Sequence, residues 1–151
     1  MQREEERAQR LIYAIGRYDT ALRNELKRRL RPVSLTIPEF TTLSVLSGRS
    51  GLSNAQLARR ALVTPQAMNQ VLGALEEKGL VRRQASPGSS ANGHHRARGA
   101  RLTAKGARHV QRCERIVDDI EAASFPGMTA AERVAFASLL RVATQRLRDA
   151  P

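Results

Sequence analysis

Three Ser/Thr-x-x-Glu/Gln patterns constrain the fold of this chain more than any other feature of its sequence. They begin at Thr36, Ser53 and Thr129. In such a capping box, the hydroxyl and the acidic or amide side chain each satisfy a backbone N–H group that a helix start leaves unpaired. Thr64-Pro65 marks a further helix start, because proline is tolerated in the first turn. The patterns therefore predict a chain built from successive helices.

Apolar side chains recur at intervals of three and four and give each predicted helix one buried face. Aromatic residues make up only 3% of the 151 residues, so the core must be aliphatic, a composition that favours helices. Pro32 ends the first helix and Gly79 is a natural cap for the fourth. The six predicted helices cover residues 5–30, 36–48, 54–62, 64–78, 103–124 and 129–151.

A β-hairpin is predicted between the fourth and fifth helices. Residues 80–84 favour a strand, residues 86–93 a flexible turn rich in Gly and Ser, and residues 96–102 a returning strand. The expected fold class is therefore mainly α with a small β component (α+β). Two short helices joined by a tight turn precede the hairpin, and long helices lie at both ends of the chain.

The fourth predicted helix has two different faces. Its apolar residues, among them Met68 and Leu72, fall on one side, and the other side is polar but uncharged until Glu76. The polar side presents Gln66, Ala67, Asn69, Gln70 and Gly73. A helix-turn-helix whose second helix carries amides is suited to the major groove, where Gln and Asn bond adenine edges. The alternative is that these amides only solvate an exposed face.

Positive charge is concentrated in the middle of the chain. The whole sequence carries +12, and residues 40–113 hold 12 cations against two acids. From Lys78 to Arg112 there are nine cations and no acid. A solvated loop does not need this bias, whereas a hairpin lying against phosphates does. The segment favours a polyanionic partner, with nucleic acid ahead of a membrane surface.

Several classes of protein are disfavoured by what the sequence lacks. Cys113 is the single cysteine and cannot form an intramolecular disulfide. The first residues lack a signal-peptide core and no apolar run spans a bilayer, so we expect a soluble, cytoplasmic protein. An enzyme is not expected, because no nucleophile with a base, phosphate loop or acid pair is evident. His109 and Cys113 lie four residues apart without further ligands nearby, so no metal site is expected.

In order and spacing, these elements resemble the MarR family (multiple antibiotic resistance regulators) over nearly the whole chain. Residues 35–40 (LTIPEF) and 52–58 (LSNAQLA) are similar to the entries of that family's second and third helices. Residues 63–68 (VTPQAM) and 75–83 (LEEKGLVRR) resemble its recognition helix and first wing strand. Residues 102–106 (LTAKG) resemble its exit from the wing.

The resemblance implies a homodimer in which each winged helix-turn-helix reads half of a pseudo-palindrome in double-stranded DNA, with recognition helices about 34–36 Å apart. It assigns residues 35–106 to the DNA-binding domain, with the wing at about 81–102, and residues 1–34 and 107–151 to dimerisation helices. The apolar faces at both termini independently favour a partner, because they exceed what a small winged core covers. The expected interface residues are Leu11, Ile15, Val117, Ile120, Phe136, Leu140 and Leu147.

Candidate DNA contacts form two groups. Base edges and the first phosphates are assigned to Thr64, Gln66, Ala67, Asn69 and Gln70. Phosphate and wing contacts are assigned to Ser53, Arg59, Arg60, Arg82, Arg83, Arg96, Arg98 and Arg101. The family's wing usually carries Asp-x-Arg, whereas this chain has His94-His95-Arg96. Arg96 is therefore the minor-groove candidate, without the Asp that helps to hold it.

By the same resemblance, a small aromatic or phenolic effector is expected in a cleft between the dimer helices and the winged domain, and no other cofactor. The residues that can line this cleft, although each can equally be interface or surface, are Tyr13, Arg17, Phe40, His109 and Arg112. Cys113 lies near the apolar face of the fifth helix, so a buried structural thiol is favoured over a redox sensor.

The favoured function is a sequence-specific, ligand-responsive repressor. A non-specific architectural DNA-binding protein is the alternative, because the basic centre explains DNA affinity without base readout. A protein–protein module built on the winged scaffold is a third hypothesis, and it predicts no DNA affinity.

Overall fold

The computed structural model describes residues 10–84 and 99–150, and within them it contains six α-helices and one two-stranded sheet. In chain order the elements are α1 (Leu11–Leu30), a 3₁₀ turn (Arg31–Val33), α2 (Ile37–Gly48), α3 (Asn54–Ala61), α4 (Pro65–Glu77), β1 (Val81–Gln84), β2 (Gly99–Leu102), α5 (Ala104–Ser124) and α6 (Ala130–Arg148). The order confirms the predicted fold class, a mainly helical chain with a winged helix-turn-helix at its centre.

Capping interactions begin the helices where the sequence predicts them. In all three capping boxes the hydroxyl accepts a hydrogen bond from the N–H three residues on, and the later side chain accepts one from the cap residue's own N–H; the pairs are Thr36–Glu39, Ser53–Gln56 and Thr129–Glu132. Thr64 caps α4 by accepting from the N–H of Ala67 at 3.1 Å. These bonds replace partners that the first helical turn would otherwise lack.

An aliphatic core holds α2, α3 and α4 together. Leu43, Leu57, Met68 and Leu75 are fully buried in it, and each apolar side chain of this size contributes about 1.5–3 kcal/mol when buried. The chain reverses between α3 and α4 at Leu62, whose φ of 58° ends α3 in the left-handed region. This tight turn sets α4 across α3, as a helix-turn-helix requires.

The hairpin is joined to the base of the helix-turn-helix. β1 and β2 are antiparallel, with Val81 opposite Leu102 and Arg83 opposite Ala100. Leu52, just before α3, makes an isolated bridge to the same Ala100. The predicted turn at residues 86–93 lies outside the described residues, as does the first part of the returning strand.

Two glycines allow the chain to enter and leave the hairpin closely packed. Gly79, which follows the C-cap residue Lys78 of α4, has a φ of 69°, which a residue with a side chain adopts only at a cost. Gly106, in the first turn of α5, lies so close to the Leu80 carbonyl that a Cβ would overlap the oxygen. The hydroxyl of Thr103 donates to the Gly79 carbonyl at 2.7 Å and ties the two ends of the hairpin together.

The chain divides into two compact units, of which the first ends at Val117 and the second begins at Asp118. The first contains the winged helix-turn-helix and α1. In the second, the chain turns at residues 125–127 before α6, and the rings of Phe125 and Phe136 pack edge to face with centroids 5.9 Å apart. The predicted assignment of residues 35–106 to DNA binding and of the flanking segments to dimerisation stays a prediction.

Candidate nucleic-acid interface

Helix α4 exposes the amide side chains that the sequence assigned to base contacts. Gln66, Asn69 and Gln70 are all exposed and lie at spacings of three and four, which places them on one face. Ala67 is half-buried beside them, and Thr64 caps the start of the helix. The opposite face is anchored in the core by Met68, Leu72 and Leu75. A rigidly held helix therefore presents a row of uncharged hydrogen-bonding groups to solvent.

Helix α3 supports the start of α4 and adds two cations. The Asn54 side chain donates to the Pro65 carbonyl at 3.0 Å, so the first turns of the two helices are linked. Arg59 and Arg60, in the last turn of α3, are both exposed. Ser53 is half-buried, and its hydroxyl accepts from Gln56 as the cap of α3. All three stay candidates for phosphate contacts.

The strands divide the predicted wing cations between their two faces. Arg82 and Arg101 are both exposed and lie directly opposite one another across the hairpin. Like charges at this position repel each other, and a phosphate between them would remove the penalty. Arg83 is on the other face, where it is only partly exposed. Arg96 and Arg98 lie outside the described residues.

Glu76 is a member of the site that the sequence analysis did not identify. Its carboxylate lies 2.9 Å from the Arg83 Nε, an ion pair, and accepts from the Arg83 backbone N–H at 3.1 Å. The position of Glu76 in the sequence was a signal for this ion pair. An acid in the last turn of a helix opposes the helix dipole and needs a compensating contact.

Lys78 forms a second ionic contact that spacing along the chain did not indicate. Its Nζ lies 2.7 Å and 2.8 Å from the two carboxylate oxygens of Glu39 and donates to the Ser34 carbonyl at 2.8 Å. Lys105 donates to the Lys78 carbonyl at 2.7 Å. The end of α4 is thus fixed to the start of α2 and the start of α5.

The five residues assigned to the effector cleft lie in three places within one chain. Tyr13 and Arg17 line an open cavity of about 520 Å³ along α1. His109 and Arg112 line another of about 320 Å³, together with Lys78 and Lys105 among others. Phe40 is half-buried and packs against the core of the winged domain. The structure therefore brings His109 and Arg112 together with further cations and does not add Tyr13, Arg17 or Phe40 to that cavity.

Cys113 is fully buried, as the sequence analysis expected. Burial is the main cause that raises the pKa of its thiol, and Glu114 raises it further against the opposing effect of Arg112. A raised pKa leaves little of the reactive thiolate at neutral pH. The structural interpretation of Cys113 is therefore favoured over the redox sensor.

The terminal helices leave large apolar side chains in solvent. On α1, Leu11 is 71% exposed and Ile15 39%, and Ile12, Tyr13 and Tyr18 are exposed with them. Helix α6, all of whose residues are described, contains no buried residue; Leu147 is 80% exposed, and Phe136 and Leu140 are half-buried. Of the remaining predicted interface residues, Val117 is half-buried and Ile120 is buried. The interface itself stays a prediction.

Within residues 10–84 and 99–150, no group of three His, Cys, Asp or Glu side chains is arranged to hold a metal ion. Among the same residues, no helix combines the length and the apolar character needed to cross a membrane.

The amide face of α4 beside an arginine-bearing hairpin defines a winged helix-turn-helix protein, and comparison with known proteins gives the family. The sequence model of the MarR family matches residues 33–90. The HTH-type transcriptional repressor Rv2887 of Mycobacterium tuberculosis is 42% identical over 130 residues, which make up 86% of this chain and 88% of the relative. The chain belongs to the MarR family, which confirms the resemblance seen in the sequence.

Solved structures of the same relative extend the likeness to three dimensions. The complex of Rv2887 with DNA has a TM-score of 0.69 at 39% identity, and covers 87% of this chain and 95% of the solved one. The complex of Rv2887 with salicylic acid has a TM-score of 0.67 at 42% identity, and covers 87% of this chain and 94% of the solved one.

Proposed function

We propose that this protein is a homodimeric, ligand-responsive transcriptional repressor that reads a pseudo-palindromic operator in double-stranded DNA. The observation that carries the proposal is the exposed row of Gln66, Asn69 and Gln70 on a helix whose other face is locked in the core. The 42% identity to a transcriptional repressor whose structure with DNA is known supports it.

Base readout follows from the chemistry of the amide face. Gln and Asn can each donate to and accept from one adenine edge in the major groove, which discriminates against a wrong base pair by about 1–3 kcal/mol. The exposed cations at Arg59, Arg60, Arg82 and Arg101 fix the position of the helix by binding phosphates on either side. Affinity then comes mainly from arginines and specificity mainly from amides.

Dimerisation follows from the unburied faces of the terminal helices. Isolated helices are marginal in water, and most helical stability comes from packing an apolar face. Helices α1 and α6 are 20 and 19 residues long, and of all their residues only Leu30 is buried. A second copy of the chain that packs against these faces supplies the missing burial. We therefore assign residues 1–34 and 107–151 to dimerisation and residues 35–106 to DNA binding.

A small aromatic carboxylate is the proposed effector class, because the structure of the relative Rv2887 with salicylic acid shows that such a ligand binds that protein. In this chain, the cavity with His109 and Arg112 offers cations for the carboxylate. The effector acts by favouring a dimer whose recognition helices no longer match the half-site spacing. We propose that this is the protein's role in the cytoplasm and that it catalyses no reaction.

Direct titration into DNA tests the proposal. The native duplex comes from the intergenic region beside the protein's own gene, and a scrambled duplex of equal length is the control, both at about 50 mM and about 200 mM salt. We expect the native duplex to be preferred at both salt concentrations. Replacing Gln66 and Asn69 by Ala removes two such contacts and is expected to reduce that preference by about 30-fold or more, whereas Gln111→Ala, an exposed amide change on α5, leaves it unchanged.

The other outcomes separate the competing functions. Equal binding to both duplexes that collapses with salt would favour the architectural alternative. No binding to either duplex would contradict DNA binding and favour the protein–protein module.

A further inference from the structure

Two adjacent arginines of the hairpin have different environments. Arg82 and Arg83 follow each other in β1, and successive side chains of a strand point to opposite faces of a sheet. Arg82 is exposed and lies opposite the exposed Arg101. Arg83 lies opposite Ala100, which is 1% exposed, and its own side chain is 30% exposed. Arg83 is therefore on the side of the hairpin that packs against the rest of the winged domain.

Three contacts connect Arg83 to helix α4. Its Nε lies 2.9 Å from one carboxylate oxygen of Glu76, and its backbone N–H donates to the other at 3.1 Å. Its Nη2 donates to the backbone carbonyl of Asn69 at 3.2 Å. Asn69 and Glu76 lie seven residues apart, two turns along one side of the helix. The guanidinium thus spans two turns of α4 and holds the strand alongside it.

We propose that Arg83 and Glu76 form a clamp that sets the position of the hairpin relative to the recognition helix α4, and that Arg83 is a positioning residue rather than a phosphate contact. The proposal rests on the proposed DNA-binding function. The clamp joins the strand that carries Arg82 to the helix turn that carries Asn69. It therefore determines whether Arg82 can bind a phosphate while Asn69 contacts a base. Its loss reduces the discrimination between operator and other DNA.

Electrostatics separates a clamp from a phosphate contact. A cation that neutralises one phosphate contributes about 0.9 to the slope of log affinity against log salt, and its loss flattens the slope by that amount. A guanidinium paired with a carboxylate of its own chain contributes little to that slope. A Glu76 variant distinguishes the two roles in a second way. Removing an acid near DNA raises the DNA affinity through charge alone, whereas breaking the clamp lowers the DNA affinity.

The experiment measures operator and scrambled-duplex affinities over a salt series with the full-length protein and its variants. For Arg82→Met, the matched control, we expect equal losses on both duplexes and a slope flatter by about one unit. For Arg83→Met we expect about a tenfold loss on the operator, a smaller loss on scrambled DNA and an unchanged slope. Glu76→Gln should also weaken operator binding, and the double variant should lose no more than Arg83→Met alone.

Arg83→Lys gives a readout that does not depend on truncating the side chain. Lysine keeps the charge but cannot span Glu76 and Asn69 as a fork. A clamp therefore predicts that Arg83→Lys remains as defective in discrimination as Arg83→Met. A phosphate contact predicts that it recovers most of the affinity.

The outcomes distinguish failure of the clamp from failure of the DNA-binding proposal. If wild-type protein binds neither duplex, DNA binding is contradicted and the clamp is overturned with it. If wild-type protein binds the operator, but Arg83→Met flattens the slope as Arg82→Met does and Arg83→Lys restores binding, only the clamp is wrong. Circular dichroism of each variant checks that it is folded; if Arg83→Met is not, Arg83→Lys and Glu76→Gln decide between the two roles.

Discussion

Removing the ammonium group of Lys78 is expected to destabilise the protein by about 2–3 kcal/mol. The group contacts both carboxylate oxygens of Glu39, whose side chain is 5% exposed, whereas the Lys78 side chain is 35% exposed. Truncating one partner of a buried ion pair costs about 3–5 kcal/mol, because the other charge stays buried without its partner. Water that reaches Lys78 screens the pair and places the expected loss at or below the lower end of that range.

Urea or thermal unfolding of Lys78→Met measures this loss, with the protein concentration held constant because a dimer's stability depends on it. At about 2–4 °C per kcal/mol, the expected fall in Tm is about 4–12 °C. Lys27→Met, a change at an exposed lysine, is the control and should stay within about 0.5 kcal/mol of wild type. Equal free energies of unfolding for Lys78→Met and Lys27→Met would refute this prediction.

A double-mutant cycle isolates the pair itself. Glu39→Met also removes a helix cap, which costs about 1 kcal/mol. In the double variant Glu39→Met/Lys78→Met no charge is left buried, so its loss should be well below the sum of the two single losses. Additive losses would mean that the 2.7 Å contact contributes no coupling energy.

Three further predictions concern other parts of the chain. Cys113 should react slowly with iodoacetamide in the folded protein and at the rate of a free thiol in denaturant. The reactive thiolate forms as pH rises through the pKa, which burial raises. Reaction of the folded protein at the free-thiol rate near neutral pH would therefore contradict the burial and the raised pKa. With salicylate as the probe for the proposed aromatic-carboxylate effector, Arg112→Met should raise the concentration that releases operator DNA by about tenfold, and the control Arg108→Met should leave that concentration unchanged. Gly106→Ala should lower the free energy of unfolding, measured by chemical denaturation, by at least about 2 kcal/mol, because the added methyl group meets a backbone carbonyl. Gly73→Ala, with open space around it, should instead raise the free energy of unfolding by up to about 1 kcal/mol.

The features that the sequence predicted correctly are local ones. A capping box is completed within four residues, so Thr36, Ser53 and Thr129 identified their helix starts without knowledge of the fold. The amide face of α4 was predicted for the same reason, because helical periodicity alone decides which side chains share a side. Gly79 likewise ended α4 through its own backbone conformation.

The features that the sequence left undecided depend on tertiary packing. Arg82 and Arg83 both looked like phosphate ligands, because which face of a strand is buried is known only once the strand is paired and packed. Glu39 and Lys78 lie 39 residues apart, and no periodicity links them. The effector residues were grouped by family resemblance, and within one chain the structure places them at three separate positions.

Selection of bound duplexes from a random pool tests the central claim most directly. A homodimer that reads bases through α4 predicts an enriched sequence with two inverted half-sites whose centres lie about one helical turn apart, roughly 10–10.5 base pairs. The Gln66→Ala/Asn69→Ala variant should fail to enrich it, and Gln111→Ala should enrich it as wild type does. Enrichment of a lone half-site, or recovery of unselected DNA in proportion to its abundance, would contradict the account.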